Sequence, residues 1–205
     1  MKKFVILFFG VLLLFACSNI QNKSVKNDPE NWMKCYSEYI TKNIDTGEYK
    51  SYTLCHIDSD TIPELCLMGR SFASGIIMLT QQNGEVVEYS FNPGLKYIER
   101  TGLINDEVAR MGTYEQNVYS LTNGDLQDVL HTSAIWHDNN SSTIDDDFFV
   151  FRINGEIVDT LPGNDVEDRC SAINDKMTQL FYSHGESKSI YDTPSFATKT
   201  ASSSL

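Results

Sequence analysis

The stretch CHIDSDTIPELCLMG, residues 55–69, carries acids at a spacing that could bind a cation. Asp58, Asp60 and Glu64 bring carboxylate oxygens to one short loop, and calcium takes about six to eight such hard oxygen ligands. His56 stands where a first carboxylate would be expected, and an imidazole nitrogen suits zinc or copper better than calcium. The pattern leaves two metal hypotheses, which are weak calcium binding on the carboxylates and a transition metal held through His56.

The same residues also fit a tight bend between two strands that binds no metal, and this is the interpretation we favour. Ile57 and Leu65 would anchor such a bend in the core, and Pro63 would stiffen it. Asp58 or Asp60 would accept hydrogen bonds from backbone N–H groups, as acids in turns commonly do. The remaining carboxylates keep calcium binding open.

Four cysteines follow the N-terminal segment, and none has the spacing of a zinc finger. If the segments around the loop pair as a hairpin, Cys55 and Cys66 lie opposite each other, where an exported protein could form a disulfide. Cys35 and Cys170 fall on apolar faces of predicted helices. They either bridge there or act as small buried hydrophobic residues.

Familiar catalytic motifs are missing from the sequence, including the nucleophile elbow, the zinc-protease helix and both glycine-rich nucleotide loops. Cys55 and His56 are neighbours on a predicted strand, so their side chains face opposite ways and cannot form a nucleophile–base pair. His131, His137 and His184 stand alone and indicate surface or strand-edge positions. We therefore predict no catalytic residues, with a secreted enzyme or enzyme accessory domain as the alternative, because carboxylate pairs can meet only in the fold.

The N-terminus has the pattern of an export signal, with two lysines, an apolar run over residues 4–16 and then a cysteine. The run falls short of the roughly 20 residues needed to span a bilayer. Leu14-Phe15-Ala16-Cys17 resembles the lipobox of bacterial lipoproteins, with Phe15 bulkier than usual. That resemblance implies that Cys17 is acylated, for instance with palmitate, and becomes the new N-terminus, so that the membrane is a partner through the lipid.

The charge of the chain is strongly acidic, with 16 basic and 28 acidic residues and a net charge of −12. Removal of residues 1–16 takes away Lys2 and Lys3 and leaves 14 basic against 28 acidic residues, a net charge of −14. Nucleic-acid binding needs lysine and arginine to neutralise phosphates, so the composition excludes it as the expected function. The acidic excess favours solubility and is compatible with a cation.

Hairpin signals dominate the middle of the chain. Asn83-Gly84, Asn123-Gly124 and Asn154-Gly155 each separate two short apolar, β-branched runs, and Asn-Gly favours the positive φ of a two-residue hairpin turn. The three hairpins predict a meander of antiparallel strands. With a helix at each end packed on one such sheet, the fold class is α+β.

Helix signals stand on both sides of this region, and the chain is long enough for one domain. Asp28-Pro29 predicts a helix start, followed by apolar residues at helical spacing; Asn164 and Glu167 form a capping box before a second amphipathic run. Polar segments lie outside these helices. We predict a signal peptide over 1–16, a lipidated cysteine and flexible tether over 17–27, one domain over 28–184 and a disordered tail over 185–205.

The stretch YTLCHIDSDTIPELCLMG, residues 52–69, looks like the motif D-I-D-G-D-G-I-P-E-L-L-L of many uncharacterised secreted proteins and lipoproteins of bacteria, which is related to the calcium loops of FG-GAP and EF-hand-like repeats. The resemblance places His56 at the first ligand position, Asp58 at the third and Asp60 at the fifth. Ile62 would offer its backbone carbonyl, and Glu64 would close the set. Two departures weaken binding, namely the imidazole and a threonine where the motif has its turn glycine.

These observations predict a lipid-anchored protein of the bacterial cell envelope, facing the periplasm or the cell exterior, that acts as a binding or structural module without enzyme activity. A protein or glycan of the envelope would be its ligand. Exposed aromatic residues could form the binding patch on a sheet face, although most of them are expected to fill the core; the candidates are Tyr52, Tyr89, Phe91, Tyr97, Tyr114 and Tyr119.

Overall fold

The computed structural model describes residues 31–44, 49–82, 84–110, 112–137, 148–162, 170–194 and 196–197. Two helices flank a mainly antiparallel β structure, which confirms the α+β class. The helices are α1 (Asn31–Ile44) and α2 (Ser171–Leu180). The strands are β1 (Tyr49–Cys55), β2 (Glu64–Gly69), β3 (Ile76–Gln82), β4 (Glu85–Phe91), β5 (Lys96–Ile98), β6 (Leu103–Arg110), β7 (Thr113–Thr122), β8 (Asp125–His137), β9 (Phe148–Ile153), β10 (Glu156–Pro162), β11 (Ser187–Ser189) and β12 (Phe196–Ala197).

The meander is divided into two sheets, whereas the sequence suggested one. The five-stranded sheet has the order β12-β1-β2-β3-β4, and the seven-stranded sheet has the order β10-β9-β8-β7-β6-β5-β11. The chain passes from the first sheet to the second between β4 and β5. Hairpin signals are local, so they could not show that β4 and β5 do not pair.

The three predicted hairpins are present. β3 pairs with β4, β7 with β8, and β9 with β10. Asn123 and Gly124 have φ of 50° and 79°, and Asn154 and Gly155 have φ of 50° and 85°, as a two-residue turn of this type requires. Asn83 lies outside the described residues, but Gln82 and Glu85 pair on either side of that turn.

The core consists of three clusters, each packed between two adjacent layers of the structure. Between α1 and the five-stranded sheet, Tyr36 packs on Leu65, Leu67 and Leu79. Between the two sheets lies a second cluster formed by Cys55, Ile57, Cys66, Met68, Ile76, Met78, Phe91, Leu95, Tyr97, Ile104, Leu121 and Ile190. The third packs α2 on the seven-stranded sheet through Ile173, Met177 and Phe181. The order of layers is therefore helix, sheet, sheet, helix.

The two helices differ from their predicted extents. The apolar face of α1 is confirmed, with Trp32, Tyr39 and Ile40 packed beside Tyr36, while the Asp28-Pro29 start lies outside the described residues. The second helix begins at Ser171, and its N-cap, Cys170, has the extended conformation φ −96°, ψ 94°. Cys170 is buried at the N-cap instead of lying on the helix face, and the predicted capping box of Asn164 and Glu167 lies outside the described residues.

The described part of the predicted disordered tail is ordered. β11 pairs with β5 at one edge of the seven-stranded sheet, and β12 pairs with β1 at one edge of the five-stranded sheet. Between them a short 3-10 turn buries Ile190 completely. The low apolar content was misleading because backbone pairing at a sheet edge needs few apolar side chains. We call residues 187–197 the C-terminal strap.

The N-terminal predictions lie outside the described residues, namely the signal peptide over 1–16, the tether over 17–27 and acylation of Cys17. Neither α1 nor α2 combines the length and the apolar character that crossing a bilayer requires, and these are the α-helices of the described ranges.

Candidate functional site

The acidic loop connects β1 to β2 and is held as a tight bend, as the sequence suggested. Ile57 is fully buried and Leu65 is 1% exposed, so both anchor the loop in the core. Asp58 Oδ1 accepts a hydrogen bond from the backbone N–H of Asp60 at 2.9 Å, and Asp60 Oδ1 accepts one from Ile62 at 2.7 Å. The two acids therefore satisfy turn N–H groups with one oxygen each.

The same bend brings three carboxylates together. Asp58, Asp60 and Glu64 each place one oxygen within 4.8 Å of the others, and the group could hold a metal ion. Asp58 is 4% exposed and Glu64 is 1% exposed, while Asp60 is half-buried. The bend and the cation loop are thus compatible in one geometry.

Glu64 is the most perturbed of the three acids. Its Oε2 accepts a hydrogen bond from the backbone N–H of Ile57 at 2.8 Å, and its Oε1 accepts one from Thr80 Oγ1 at 3.4 Å. Burial, reinforced by the negative charges of Asp58 and Asp60, outweighs these bonds and raises the pKa of Glu64 to about 8. Burial also raises the pKa of Asp60. A bound cation would favour the ionised forms of both groups.

The loop lies at the seam between the two sheets. Asp58 Oδ2 accepts a hydrogen bond of 3.0 Å from the backbone N–H of Asn123, at the tip of the β7–β8 hairpin. The backbone carbonyls of His56 and Ile57 accept from Arg100 N at 2.9 Å and Gly102 N at 2.8 Å. The loop therefore connects two strands of the five-stranded sheet and forms three hydrogen bonds to the seven-stranded sheet.

Gly102 makes this seam possible. Its φ is +79°, and a Cβ there would lie 2.2 Å from the backbone oxygen of Leu121. Any other residue would have to adopt the left-handed region and displace the strand that carries Leu121.

One predicted ligand is not part of the carboxylate group. The imidazole of His56 lies outside it, and its Nδ1 is buried with no hydrogen-bond partner in the described part of the chain. The backbone N–H of Ile62, the residue predicted to offer its carbonyl, donates to Asp60. The side chains that converge in the loop are therefore the three carboxylates, and this group could hold a metal ion.

Cys55 and Cys66 are neighbours but are not opposite each other. Cys55 pairs with Glu64, and Cys66 pairs with Thr53, so the two cysteines are diagonal across the strands. All four cysteines of the described ranges are free thiols. The interaction between the two thiols lowers the pKa of Cys55 and, together with burial, raises that of Cys66. Diagonal pairs have Cα atoms about 7–8 Å apart, beyond the usual disulfide range.

The six candidate aromatic rings lie in or beside the core, and those of Tyr52, Tyr89, Tyr114 and Tyr119 remain partly exposed. All six candidate rings pack against one of the three core clusters, so the expectation that most would fill the core is confirmed. Those rings belong to Tyr52, Tyr89, Phe91, Tyr97, Tyr114 and Tyr119.

The three isolated histidines have different surroundings. His184 is exposed, and the ring of His137 stacks on Phe148 with centroids 5.2 Å apart. His131 instead lies in a cleft together with Asn117 and Asn154. Sequence inspection missed this grouping because the two asparagines are 14 and 23 residues away from His131 along the chain.

Comparison with known proteins found no family model, no curated protein and no solved structure that matches the chain.

Proposed function

We propose that this protein is a non-enzymatic binding module of the bacterial cell envelope, anchored by a lipid on Cys17, in which calcium bound by Asp58, Asp60 and Glu64 holds the two sheets together. The observation that carries the calcium part is the convergence of three carboxylates at the sheet seam. The envelope anchor is supported by the lipobox-like sequence and the polar segment that follows Cys17.

Electrostatics support a cation at the loop. Two unit charges within 4.8 Å repel by roughly 3 kcal/mol at an effective dielectric constant of about 20. Glu64 and Asp58 are both buried, so water screens this repulsion poorly. A divalent ion would convert the mutual repulsion of the three acids into attraction.

The chemistry of the donors supports calcium in particular. The converging atoms are carboxylate oxygens, and hard oxygens suit calcium, whereas zinc and copper favour nitrogen and sulfur. The group offers fewer oxygens than the full coordination shell of calcium, so waters and backbone carbonyls would complete it. We therefore expect weak binding, in the range of extracellular calcium modules.

The position of the loop supports a structural role. Asp58 already bonds to Asn123 of the other sheet, so an ion that fixes the Asp58 carboxylate also fixes the tip of the β7–β8 hairpin. Binding to the folded state alone would stabilise both sheets together.

A thermal melt of the chain from Ser18 onward, in calcium and in chelator, tests this proposal. At a calcium concentration ten times Kd the folded state gains about 1.4 kcal/mol, which raises Tm by roughly 3–6 °C for a domain of this size. Asp58→Asn keeps one acceptor oxygen, for the N–H of Asp60 or of Asn123, and removes a charge, so the calcium response should shrink or vanish.

Asp175→Ala is the matched control, because this acid is exposed on α2, outside the loop. It should respond to calcium as the unchanged protein does. A Tm that stays constant over millimolar calcium would refute the calcium role and leave residues 56–63 as a plain bend. Magnesium at the same concentration separates calcium binding from a general ionic effect.

A further inference from the structure

A cleft of about 470 Å³ opens beside a β-bulge in the seven-stranded sheet. Val118 pairs with Leu130 and Tyr119 pairs with Asp128, so Val129 is the extra residue of β8. Bulges commonly re-aim side chains next to functional sites. The cleft is lined by Asn117, Asp128, Val129, Leu130, His131 and Asn154.

Hydrogen bonds hold the walls of the cleft in place. The backbone N–H of His131 donates to Asn154 Oδ1 at 2.9 Å, and the backbone N–H of Asn154 donates to the carbonyl of His131 at 2.7 Å. Asn154 has φ of 50° in the β9–β10 turn. The turn and the bulge are therefore fixed to each other, and the cleft is preformed.

The polar groups of the cleft offer both donors and acceptors. His131 Nδ1 lies 2.6 Å from Asn117 Oδ1, and because an amide oxygen only accepts, Nδ1 is the protonated nitrogen. In the neutral ring Nε2 is then an acceptor. Among the described residues nothing bonds to the carboxylate of Asp128, and the amide nitrogen of Asn117 remains a donor.

Two features of the lining restrict the ligand class. No lysine or arginine lines the cleft, and it contains an acid, so a phosphate or carboxylate ligand would meet repulsion. Val129 is 37% exposed and gives the lining a small apolar surface. Sugar hydroxyls both donate and accept hydrogen bonds, and the C–H face of a sugar ring is apolar.

We propose that this cleft binds a neutral sugar unit of an envelope glycan, with Asp128 and His131 Nε2 accepting from its hydroxyl groups and Asn117 donating to them. The volume lies within the range of about 300–1,000 Å³ typical of small-ligand sites. The inference rests on the proposed function as an envelope binding module, and it names the class of ligand. Binding does not require the calcium loop.

NMR chemical-shift mapping with two neutral trisaccharides, maltotriose and tri-N-acetylchitotriose, tests the proposal on the chain from Ser18 onward. At least one should cause saturable shifts at His131, Asn117 and Asn154. Asp128→Ala should weaken binding about tenfold, since a hydrogen bond to a charged group is lost. Asp175→Ala should bind as the unchanged protein does.

Three results would overturn the assignment. These are no saturable shift with either sugar at millimolar concentration, shifts that Asp128→Ala leaves unchanged, and shifts confined to the edge strand β10. Ile157 on that strand is 58% exposed, so an added peptide that shifts β10 while neither sugar shifts the cleft would point to a protein partner instead.

The same titration in chelator separates this inference from the calcium proposal. If the sugars cause chemical-shift changes but calcium does not change Tm, the calcium proposal is refuted and the sugar-binding proposal stands. A calcium effect without sugar shifts would refute the cleft assignment alone.

Discussion

Replacing the buried Glu64 by glutamine should stabilise the protein at alkaline pH when calcium is removed. The folded state raises the pKa of Glu64 from its ordinary value of 4.5 to about 8, mainly through burial. The folded protein therefore binds this proton more tightly than the unfolded chain does. Unfolding free energy should fall as pH rises above about 4.5 and should level off above about 8.

The size of this effect follows from the pKa difference. At about 1.4 kcal/mol per pH unit, a change from 4.5 to about 8 corresponds to at most roughly 5 kcal/mol lost at pH 8 and above. Glutamine has nearly the same shape and no charge, and it retains a carbonyl acceptor for the backbone N–H of Ile57. Glu64→Gln should therefore match the unchanged protein near pH 4.5 and exceed it in stability by a few kcal/mol at pH 8.

Urea unfolding in chelator from pH 4.5 to 8.5 measures this difference, with the fluorescence of Trp32 and Trp136 as the signal. The difference between the two proteins isolates Glu64, because all other groups titrate in both. Glu156→Gln, which changes an exposed carboxylate at the start of β10, should run parallel to the unchanged protein. A constant difference across the pH range would refute the argument from burial.

Calcium should narrow the difference in stability between the two proteins. The ion favours the ionised carboxylate, so at pH 8 and ten times Kd it should recover about 1.4 kcal/mol of the stability that Glu64 loses in chelator. Glu64→Gln has one charged ligand fewer and should gain much less. If calcium stabilises both proteins equally, Glu64 is not a ligand.

Three further predictions follow from the described contacts. A chain that stops at Gly185 loses the C-terminal strap, and its free energy of unfolding in urea should be lower by at least 2–5 kcal/mol, about the cost of Ile190→Ala alone. A chain that stops at residue 197 should have the same free energy of unfolding as the full chain. Because Cys55 and Cys66 are diagonal and all four described cysteines are free, the unreduced chain from Ser18 onward should show four reactive thiols after denaturation; a count of two would show one disulfide, which peptide mapping would assign to Cys55–Cys66 or to Cys35–Cys170. In a bacterial host Cys17→Ser should move the protein from the membrane fraction to the soluble fraction and remove the mass of the acyl chains; an unchanged distribution would contradict the lipid anchor.

The parts of the fold that sequence predicted are those fixed within a few residues. Asn-Gly turns impose positive φ locally, so the hairpins at Asn123 and Asn154 form as expected. The spacing of apolar residues in α1 likewise predicts one apolar face, because such a face is buried whichever sheet packs against it. Pairing between hairpins depends on contacts distant in sequence, and for that reason the division into two sheets was not predictable.

The candidate site shows the same limit. The acids Asp58, Asp60 and Glu64 were predicted because they share one loop, and the structure brings them together. The bond from Asn123 to Asp58 spans 65 residues, and nothing in the local sequence announces it. His56 stands at the first ligand position of the motif, yet its imidazole lies outside the group of three carboxylates.

The C-terminal strap has a consequence for the order in which the chain can fold. Thr53 Oγ1 donates to the carbonyl of Pro194, 141 residues further along, and the hydroxyls of Tyr97 and Thr193 are 3.3 Å apart across 96 residues. These contacts join the beginning of each sheet to nearly the last described residues. Neither sheet reaches its final edge until residues 187–197 have left the ribosome. Closure of such distant contacts is slow, so completion of the domain is delayed until the C-terminal strap is free.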